Sequence, residues 1–232
     1  MNSDFKIISL LLSYPSEELQ QSGNLLRATL DQLSDLNEAQ IVGLKSLISS
    51  IADRDIYDVQ EDYVLLFDRT RSLSLHLFEH VYGENRDRGQ AMVDLKAMYD
   101  DAGFEIDAPE MPDYLPMFLE FLSTRSDEEA RHLLGETLHI IAAIRQRLQK
   151  RGSLYATAFV ALESLAGVKA DEALTSEIVN RQEDDPNDLE ALDRIWEEEA
   201  ITFGGNQGEN DCGPDRLQRR IRAARRDASA QI

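Results

Sequence analysis

Apolar residues recur every three or four positions through most of this chain, which is the spacing of amphipathic helices. The first apolar face ends at Pro15. Its members are Phe5, Ile8 and Leu12. Ser16 is placed to cap a second helix, because its hydroxyl can accept a hydrogen bond from a free backbone N–H of the first turn. Asn37 is placed to cap a third helix in the same way.

The helical spacing continues through the centre of the chain, with one interruption. Residues 56–68 carry a further apolar face made by Ile56, Val59, Tyr63, Leu66 and Phe67. Residues 69–74, RTRSLS, break the pattern. We predict that a helix then covers Leu75 to Val81. Another is predicted from Asp87 to Ala102, with Gly103 as its C-terminal cap.

The second half of the chain has clear helix start and stop signals. Residues 103–112 form a predicted loop, followed by a short apolar helix in DYLPMFLEFL. Ser126 and Glu129 have the spacing of a capping box, in which each side chain hydrogen-bonds the backbone N–H of the other residue. The helix behind them is predicted to end at Gly152, and the next one at Gly167.

These patterns predict an all-α protein with one helical-bundle domain over residues 1–203. We find no strand-like alternation of useful length and no internal repeat. The scarcity of breakers, 6 prolines and 12 glycines in 232 residues, favours the same fold class. Residues 204–232 are predicted to be a flexible linker followed by an arginine-rich C-terminal tail.

The charge is distributed unevenly near the C-terminus. Residues 171–199 contain twelve acidic residues against two arginines. The final segment, DRLQRRIRAARRDASAQI, contains six arginines against two aspartates. This segment could bind a partner as a helix, or it could fold back onto the acidic block in a salt-sensitive contact. We favour the second interpretation.

The net charge of −20 limits the possible partners of this protein. Phosphate backbones and anionic membrane surfaces would be repelled by most of the surface, so general nucleic-acid binding is not expected. A partner segment that carries lysines or arginines would be attracted. The charge therefore favours a basic protein partner.

The chain contains a single cysteine, Cys212, so it forms no intramolecular disulfide and no cysteine-based zinc site. The short apolar run Ile7–Leu12 is ended by Pro15 and is interpreted as a first helix, not a signal peptide. No apolar run is long enough to cross a bilayer. We expect a cytoplasmic protein without direct membrane insertion.

The HLFEH sequence, from His76 to His80, matches the H-x-x-E-H pattern of inverted zinc peptidases. On a helix, two histidines four residues apart share a face and could bind one zinc ion. A zinc-dependent hydrolase also needs a third ligand, and candidates such as Glu120 lie in no recognisable motif. We favour the alternative that both histidines are partly buried structural residues.

The Arg86-Asp87-Arg88-Gly89 sequence could bind a phosphate at a helix start, as in a nucleotide or molybdopterin carrier. Alternatively, Asp87 caps the following helix while the arginines pair with acids such as Glu79. We favour this alternative. No standard nucleotide-binding motif is present in the sequence.

The central segment is rich in apolar and aromatic side chains that flank two irregular regions. They are Tyr63, Leu66, Phe67, Leu75, Phe78, Tyr82, Tyr114, Phe118 and Phe121. Such a set is either core or the lining of a groove that grips a helical peptide. Asp113 could cap a helix, or its carboxylate could face a basic peptide. The residue pattern leaves both pairs of alternatives open.

Taken as a whole, the string DYVLLFDRTRSLSLHLFEHVYGENRDRGQAMVDL, followed by PDYLPMFLEFLS, closely resembles the nitrate reductase molybdenum cofactor assembly chaperones. These form the NarJ branch of the TorD/DmsD family. LSYPSEEL and WEEEAITFGG are similar as well, so the resemblance covers roughly residues 5–205. In sister branches an Asp-His pair occupies the place of Asp113-Tyr114.

The resemblance implies a single TorD-like helical domain without catalytic activity. It implies a chaperone that binds the apo catalytic subunit of respiratory nitrate reductase through that subunit's N-terminal segment. The chaperone supports molybdenum cofactor insertion before membrane docking and is not part of the final enzyme. No stably bound cofactor is expected, only transient contact with molybdenum cofactor or guanine nucleotide.

The resemblance and the residue pattern together give a set of candidate site residues. Those expected to bind the partner peptide are Tyr63, Leu66, Phe67, Arg69, Arg71, Leu75, His76, His80, Asp113, Tyr114 and Pro116. Arg86 and Arg88 are the candidates for anion or cofactor contact.

Overall fold

A computed structural model describes residues 3–69, 71–82, 86–106 and 110–181. Within these ranges the chain is all-α, as predicted, with eleven α-helices, one 3-10 turn and no strand apart from an isolated bridge. The helices are α1 Ser3–Leu12, α2 Glu17–Gln21, α3 Gly23–Leu30, α4 Glu38–Ala52, α5 Ile56–Phe67, α6 Glu79–Tyr82, α7 Arg86–Asp101, α8 Leu115–Ser123, α9 Asp127–Lys150, α10 Ala156–Ala166 and α11 Glu172–Val179, and the 3-10 turn is Arg71–Leu73.

The helix boundaries follow the local signals in the sequence. The Ser16 hydroxyl accepts a hydrogen bond from the Leu19 backbone N–H at 3.2 Å. Asn37 forms a complete capping box at the start of α4. Ser126 caps α9 by accepting the N–H of Glu129 at 3.3 Å. Gly167 ends α10 with φ of +67°, a conformation that glycine adopts without steric cost.

The long helix α9 lies at the centre of the packing, in contact with α8, α10, α11 and the 3-10 turn. On its inward face Leu134, Ile141, Ile144 and Leu148 are fully buried. A second extensive contact joins α1 to α8. Residues 104–106 and Glu110, which precede α8, line one cleft together with Ser9 of the first helix.

One predicted helix was wrong. Residues 74–78 are not helical: His76 forms an isolated antiparallel bridge with Tyr114, and only Glu79–Tyr82 completes a short α6. The two histidines of HLFEH therefore do not share a helical face. The physical reason is that Leu75 and Leu77 form backbone hydrogen bonds with Leu115 and Asp113, 40 and 36 positions away, in place of the local i to i−4 bonds of a helix.

Two aspartates that could have capped helices, Asp113 and Asp87, are not N-cap residues. Asp113 does not cap α8, since Tyr114 is the N-cap residue and makes no side-chain cap bond. Asp87 lies inside the first turn of α7, whose first residue is Arg86. Helices α3 and α11 were not predicted as separate elements. α3 is short and follows α2 directly, while α11 lies at the start of the acidic block.

Several predictions lie outside the described residues. These are the acidic block beyond Arg181, the linker with Cys212, the arginine-rich tail and the side chain of Arg86. The domain boundary at residue 203 therefore stays a prediction. Among the helices that the structure describes, none has both the length and the apolar composition needed to cross a membrane.

Candidate functional site

Two segments that are distant in sequence cross at one point, which we call the junction: residues 74–80 and residues 112–115. The Leu77 N–H donates to the Asp113 carbonyl at 3.0 Å, and the Leu115 N–H donates to the Leu75 carbonyl at 2.8 Å. These bonds bring His76 opposite Tyr114, with their ring centroids 5.4 Å apart. The junction therefore unites two groups of predicted site residues.

Asp113 organises the junction from inside. Its side chain is fully buried, at 0% exposure. One carboxylate oxygen accepts the Phe78 backbone N–H at 3.0 Å, and the other lies 3.2 Å from Nδ1 of His76. An ionised carboxylate only accepts, so Nδ1 of His76 carries the proton. Asp113 thus accepts hydrogen bonds from two residues of the 74–80 segment and does not face solvent.

His76 is the more accessible member of this pair, with 27% of its side chain exposed. Burial alone would lower the pKa of His76, but the hydrogen bond and the negative charge of Asp113 outweigh it and raise the pKa above its usual value. His76 therefore presents a more basic ring beside the Tyr114 ring.

Aromatic side chains connect the junction to the rest of the bundle. The Tyr63 hydroxyl donates to the Leu12 carbonyl at 2.9 Å and lies 3.0 Å from the Tyr114 hydroxyl. The Tyr63 ring also packs against Phe67, with centroids 4.9 Å apart, and against the half-exposed Tyr14. Tyr63 thus ties α5, α1 and the start of α8 together.

Two arginines donate hydrogen bonds to backbone carbonyls at and just before residues 74–80 of the junction. Buried Arg147 of α9 donates to the Ser72 carbonyl at 2.7 Å and to the Ile178 carbonyl at 2.5 Å. Arg181, after α11, donates to the His80 carbonyl at 2.9 Å. Sequence reasoning missed Arg147, since nothing in the sequence distinguishes it from the neighbouring arginines of α9. Its guanidinium joins the 3-10 turn to the C-terminal end of α11, because it donates to a carbonyl of each.

His80 is a structural member of the junction. It is 4% exposed, and its Nε2–H donates to the Ser74 carbonyl at 2.8 Å. Burial lowers the pKa of His80 to about 4, against the usual value of 6.5. The imidazole is therefore neutral in the folded protein at neutral pH.

The depressed pKa of His80 predicts acid sensitivity. As the pH falls, the unfolded chain protonates His80 near pH 6.5, before the folded chain does. The contribution of the neutral, buried His80 to the free energy of unfolding is therefore complete above pH 6.5 and is lost as the pH falls from 6.5 towards 4. In this range the free energy of unfolding falls by up to about 1.4 kcal/mol per pH unit, the value for uptake of one proton. His80→Gln, whose amide N–H can still reach the Ser74 carbonyl, should reduce this slope in denaturant unfolding measured at several pH values. An unchanged slope would contradict the assignment.

A cleft of about 320 Å³ lies directly beside the junction, between α1, α8, residues 104–106 and Glu110. Its apolar lining is Phe104, Ile106, Tyr114, Pro116 and Met117. Three glutamates, Glu105, Glu110 and Glu120, line it as well, and Glu120 pairs with Lys6. We call this feature the acidic cleft. Its form suits an amphipathic segment with basic flanks.

A larger cavity of about 680 Å³ lies between α4, α9, α10 and α11. Within its charged lining, Arg145 meets Glu163 at 2.8 Å. None of the predicted site residues lines it. The acidic cleft, which contains Tyr114 and Pro116, is therefore the better candidate for the functional surface.

Comparison with known proteins gives the family. A family model described as "Nitrate reductase delta subunit" matches residues 30–161. The nitrate reductase molybdenum cofactor assembly chaperone NarJ of Escherichia coli K12 is 38% identical over 219 residues, covering 94% of this chain and 92% of that protein. The chain belongs to the NarJ family of nitrate reductase molybdenum cofactor assembly chaperones.

Two further NarJ-family relatives support the assignment. A probable assembly chaperone, NarW of Escherichia coli K12, is 37% identical over 85% of this chain and 82% of its own length. A probable assembly chaperone NarJ of Bacillus subtilis is 30% identical over 66% of this chain and 82% of its own length. The family resemblance predicted from the sequence is thus confirmed.

In this NarJ-family chain the predicted site residues fall into two groups. Tyr63, Phe67, Leu75, His80, Asp113 and Pro116 are buried. Leu66, Arg69, Arg71, Arg88, His76 and Tyr114 are partly or fully exposed. The buried group packs inside the bundle, although Pro116 also lines the acidic cleft, and the second group is placed to touch another molecule. Whether these residues bind a partner stays a prediction.

The two motif-based alternatives gain nothing from the structure. Among the described residues, no group of three or more His, Cys, Asp or Glu is arranged to hold a metal ion. Arg88 meets Glu79 at 3.1 Å, which matches the ion-pair alternative for RDRG. The side chain of Arg86 lies outside the described residues.

Proposed function

We propose that this chain is a cytoplasmic chaperone of respiratory nitrate reductase. It binds the apo catalytic subunit, including its N-terminal segment, and keeps that subunit competent for molybdenum cofactor insertion before membrane docking. It dissociates afterwards and is not part of the final enzyme. The chain itself is not an enzyme, in keeping with its family.

The observation that supports peptide binding is the acidic cleft. Its apolar floor could bury the hydrophobic face of a helical segment, while Glu105 and Glu110 meet lysines or arginines beside that face. The adjoining junction supplies a rigid wall, because Tyr114 is held by the backbone bridge and by Tyr63. A preformed cleft reduces the entropy lost by the chaperone on binding.

The overall charge assists the encounter. With a net charge of −20, the chain attracts a basic segment from a distance, which raises the association rate more than the affinity. Binding should weaken as salt rises, since the Debye length is about 8 Å at physiological ionic strength. Selectivity for the immature subunit requires only that its segment is accessible before assembly and sequestered after it.

Contact with the molybdenum cofactor is proposed as transient. Arg88 is the described candidate, but its ion pair with Glu79 would have to open to admit an anion. The cofactor is therefore treated as cargo of the partner subunit. A guanine nucleotide would likewise reach Arg88 only after its ion pair with Glu79 had opened.

Calorimetric titration of the full chain with a synthetic N-terminal segment of the nitrate reductase catalytic subunit tests peptide binding. We expect a single site whose affinity falls between about 50 and 200 mM salt. Tyr114→Ala, which removes the ring at the cleft wall, should weaken binding. Tyr57→Ala is a matched control, because this tyrosine is 77% exposed and does not line the cleft. No detectable heat at two temperatures would contradict the peptide-binding proposal.

A further inference from the structure

The sequence of the C-terminal tail has the chemistry that the acidic cleft fits. Between positions 215 and 228 the apolar residues Leu217, Ile221, Ala224 and Ala228 are spaced i, i+4, i+7 and i+11. That spacing would place them on one stripe of a helix. One of the six arginines of this segment, Arg216, precedes Leu217, and the other five fall at positions between the apolar residues. The pattern is that of a basic amphipathic segment.

The described chain also ends close to the cleft. Its last described residue, Arg181, donates to the His80 carbonyl at 2.9 Å, within the junction. His76, which like His80 lies in the 74–80 segment, forms a backbone bridge with Tyr114, and Tyr114 lines the cleft. Residues 182–214 number 33, a length that spans at most about 110 Å when fully extended. The tail is therefore long enough to reach the cleft from this point.

We propose that residues 215–228 dock in the acidic cleft of their own chain and compete with the partner's segment. Leu217 and Ile221 would meet the apolar floor, and the arginines would meet Glu105 and Glu110. Competition with the partner rests on the function proposed above, whereas docking itself does not. The tail thus covers the apolar floor until a tighter-binding segment displaces it.

The strength of this competition follows from the tether. A short flexible linker holds its end group at an effective concentration of roughly millimolar. Residues 204–213 include four glycines, a composition typical of such linkers. A tail whose intrinsic dissociation constant is about two- to ninefold below this concentration would occupy about two thirds to nine tenths of the clefts without blocking them permanently. The partner's apparent affinity falls in proportion to the open fraction.

The position of the only cysteine allows a direct test on the full chain. Cys212 precedes the proposed docking segment by three residues, so a nitroxide attached there labels one site without background. We expect paramagnetic broadening of the backbone amide signals of Phe104, Ile106 and Met117. Broadening should disappear in Leu217→Ser/Ile221→Ser. It should persist in the matched control Gln218→Ser/Ala223→Ser, whose changes lie off the apolar stripe.

The same variants distinguish cleft docking from purely electrostatic pairing with the acidic block. Neither serine pair changes the charge, so pairing through the arginines alone would leave the wild type and both variants alike. Equal broadening in all three, or no broadening of the cleft amides in the wild type, would overturn the proposal. Adding a free peptide of residues 213–232 to Leu217→Ser/Ile221→Ser should perturb the same three amide signals.

The effect on the partner is measured separately. Leu217→Ser/Ile221→Ser should bind the synthetic N-terminal segment of the catalytic subunit about three- to tenfold more tightly than the wild type. Identical affinities would overturn the competition. If the cleft amides are broadened but neither protein binds the segment, the proposed function fails and the self-docking stands.

Discussion

Asp113→Ala should lower the free energy of unfolding by about 3 kcal/mol, the typical cost of removing one partner from a buried, hydrogen-bonded charge pair. The substitution leaves the Phe78 N–H and Nδ1 of His76 without their acceptor inside the junction. It also empties the volume of a fully buried side chain. Denaturant unfolding monitored by circular dichroism measures the loss.

Asp113→Asn is the matched control for this prediction. Its amide oxygen can accept the Phe78 N–H, and its NH₂ group can donate to Nδ1 of His76 if the imidazole adopts its other tautomer. We therefore expect a smaller loss, about 1 kcal/mol. If both variants were as stable as the wild type, the role of Asp113 in holding the junction would be wrong.

Reversing the charge of the cleft rim should have the largest effect on partner binding. In Glu105→Lys/Glu110→Lys two attractive contacts with a basic segment become repulsive. Both glutamates are exposed, so folding stability should change by less than about 0.5 kcal/mol. Binding of the catalytic subunit's N-terminal segment should weaken by roughly 100-fold at low salt, and by less at high salt. Calorimetric titration provides both values.

The control for this variant must carry the same net charge. Glu61→Lys/Glu172→Lys also changes the charge from −20 to −16, because each substitution adds two units. Neither residue lines the cleft, and both are exposed. We expect a loss of less than about threefold, from weaker long-range attraction alone. Equal losses in the two variants would mean that the overall charge, not the cleft, governs binding.

The structural features that the sequence predicts well are the helix ends, which are fixed by contacts between residues close together in the sequence. Ser16, Asn37 and Ser126 satisfy backbone N–H groups two or three residues ahead, and Gly103 and Gly167 adopt positive φ where helices end. Each of these signals lies within a few residues of its effect. No tertiary contact is needed to anticipate them.

The junction could not be predicted in the same way, because the bonds between its two segments join residues 35 or more positions apart. The two histidines of HLFEH have the spacing of one helical face, and the predicted helix over Leu75 to Val81 depends on this local pattern. One signal favoured the observed form: the residues from Ser72 to Leu77 alternate between polar and leucine, the two-residue period of extended chain. Six residues is an ordinary length for a strand, although only His76 forms a bridge here.

The candidate site was predicted in part, and its missing parts share one physical cause. Tyr114 and Pro116, named from the sequence, line the acidic cleft, but Glu105 and Glu110 were not named. These glutamates line the cleft only because α1 packs against α8, and this packing is a tertiary contact. The interior position of Asp113 likewise follows from donors on another segment.

The most direct test of the proposed function is co-purification from cells that make no molybdenum cofactor. The tagged full chain should retain the identified apo catalytic subunit of nitrate reductase, and Glu105→Lys/Glu110→Lys should retain much less than Glu61→Lys/Glu172→Lys. Restoring cofactor synthesis should release the subunit. If the apo subunit is absent from the wild-type preparation, or if all three chains retain it equally, the chaperone acting through the acidic cleft is contradicted.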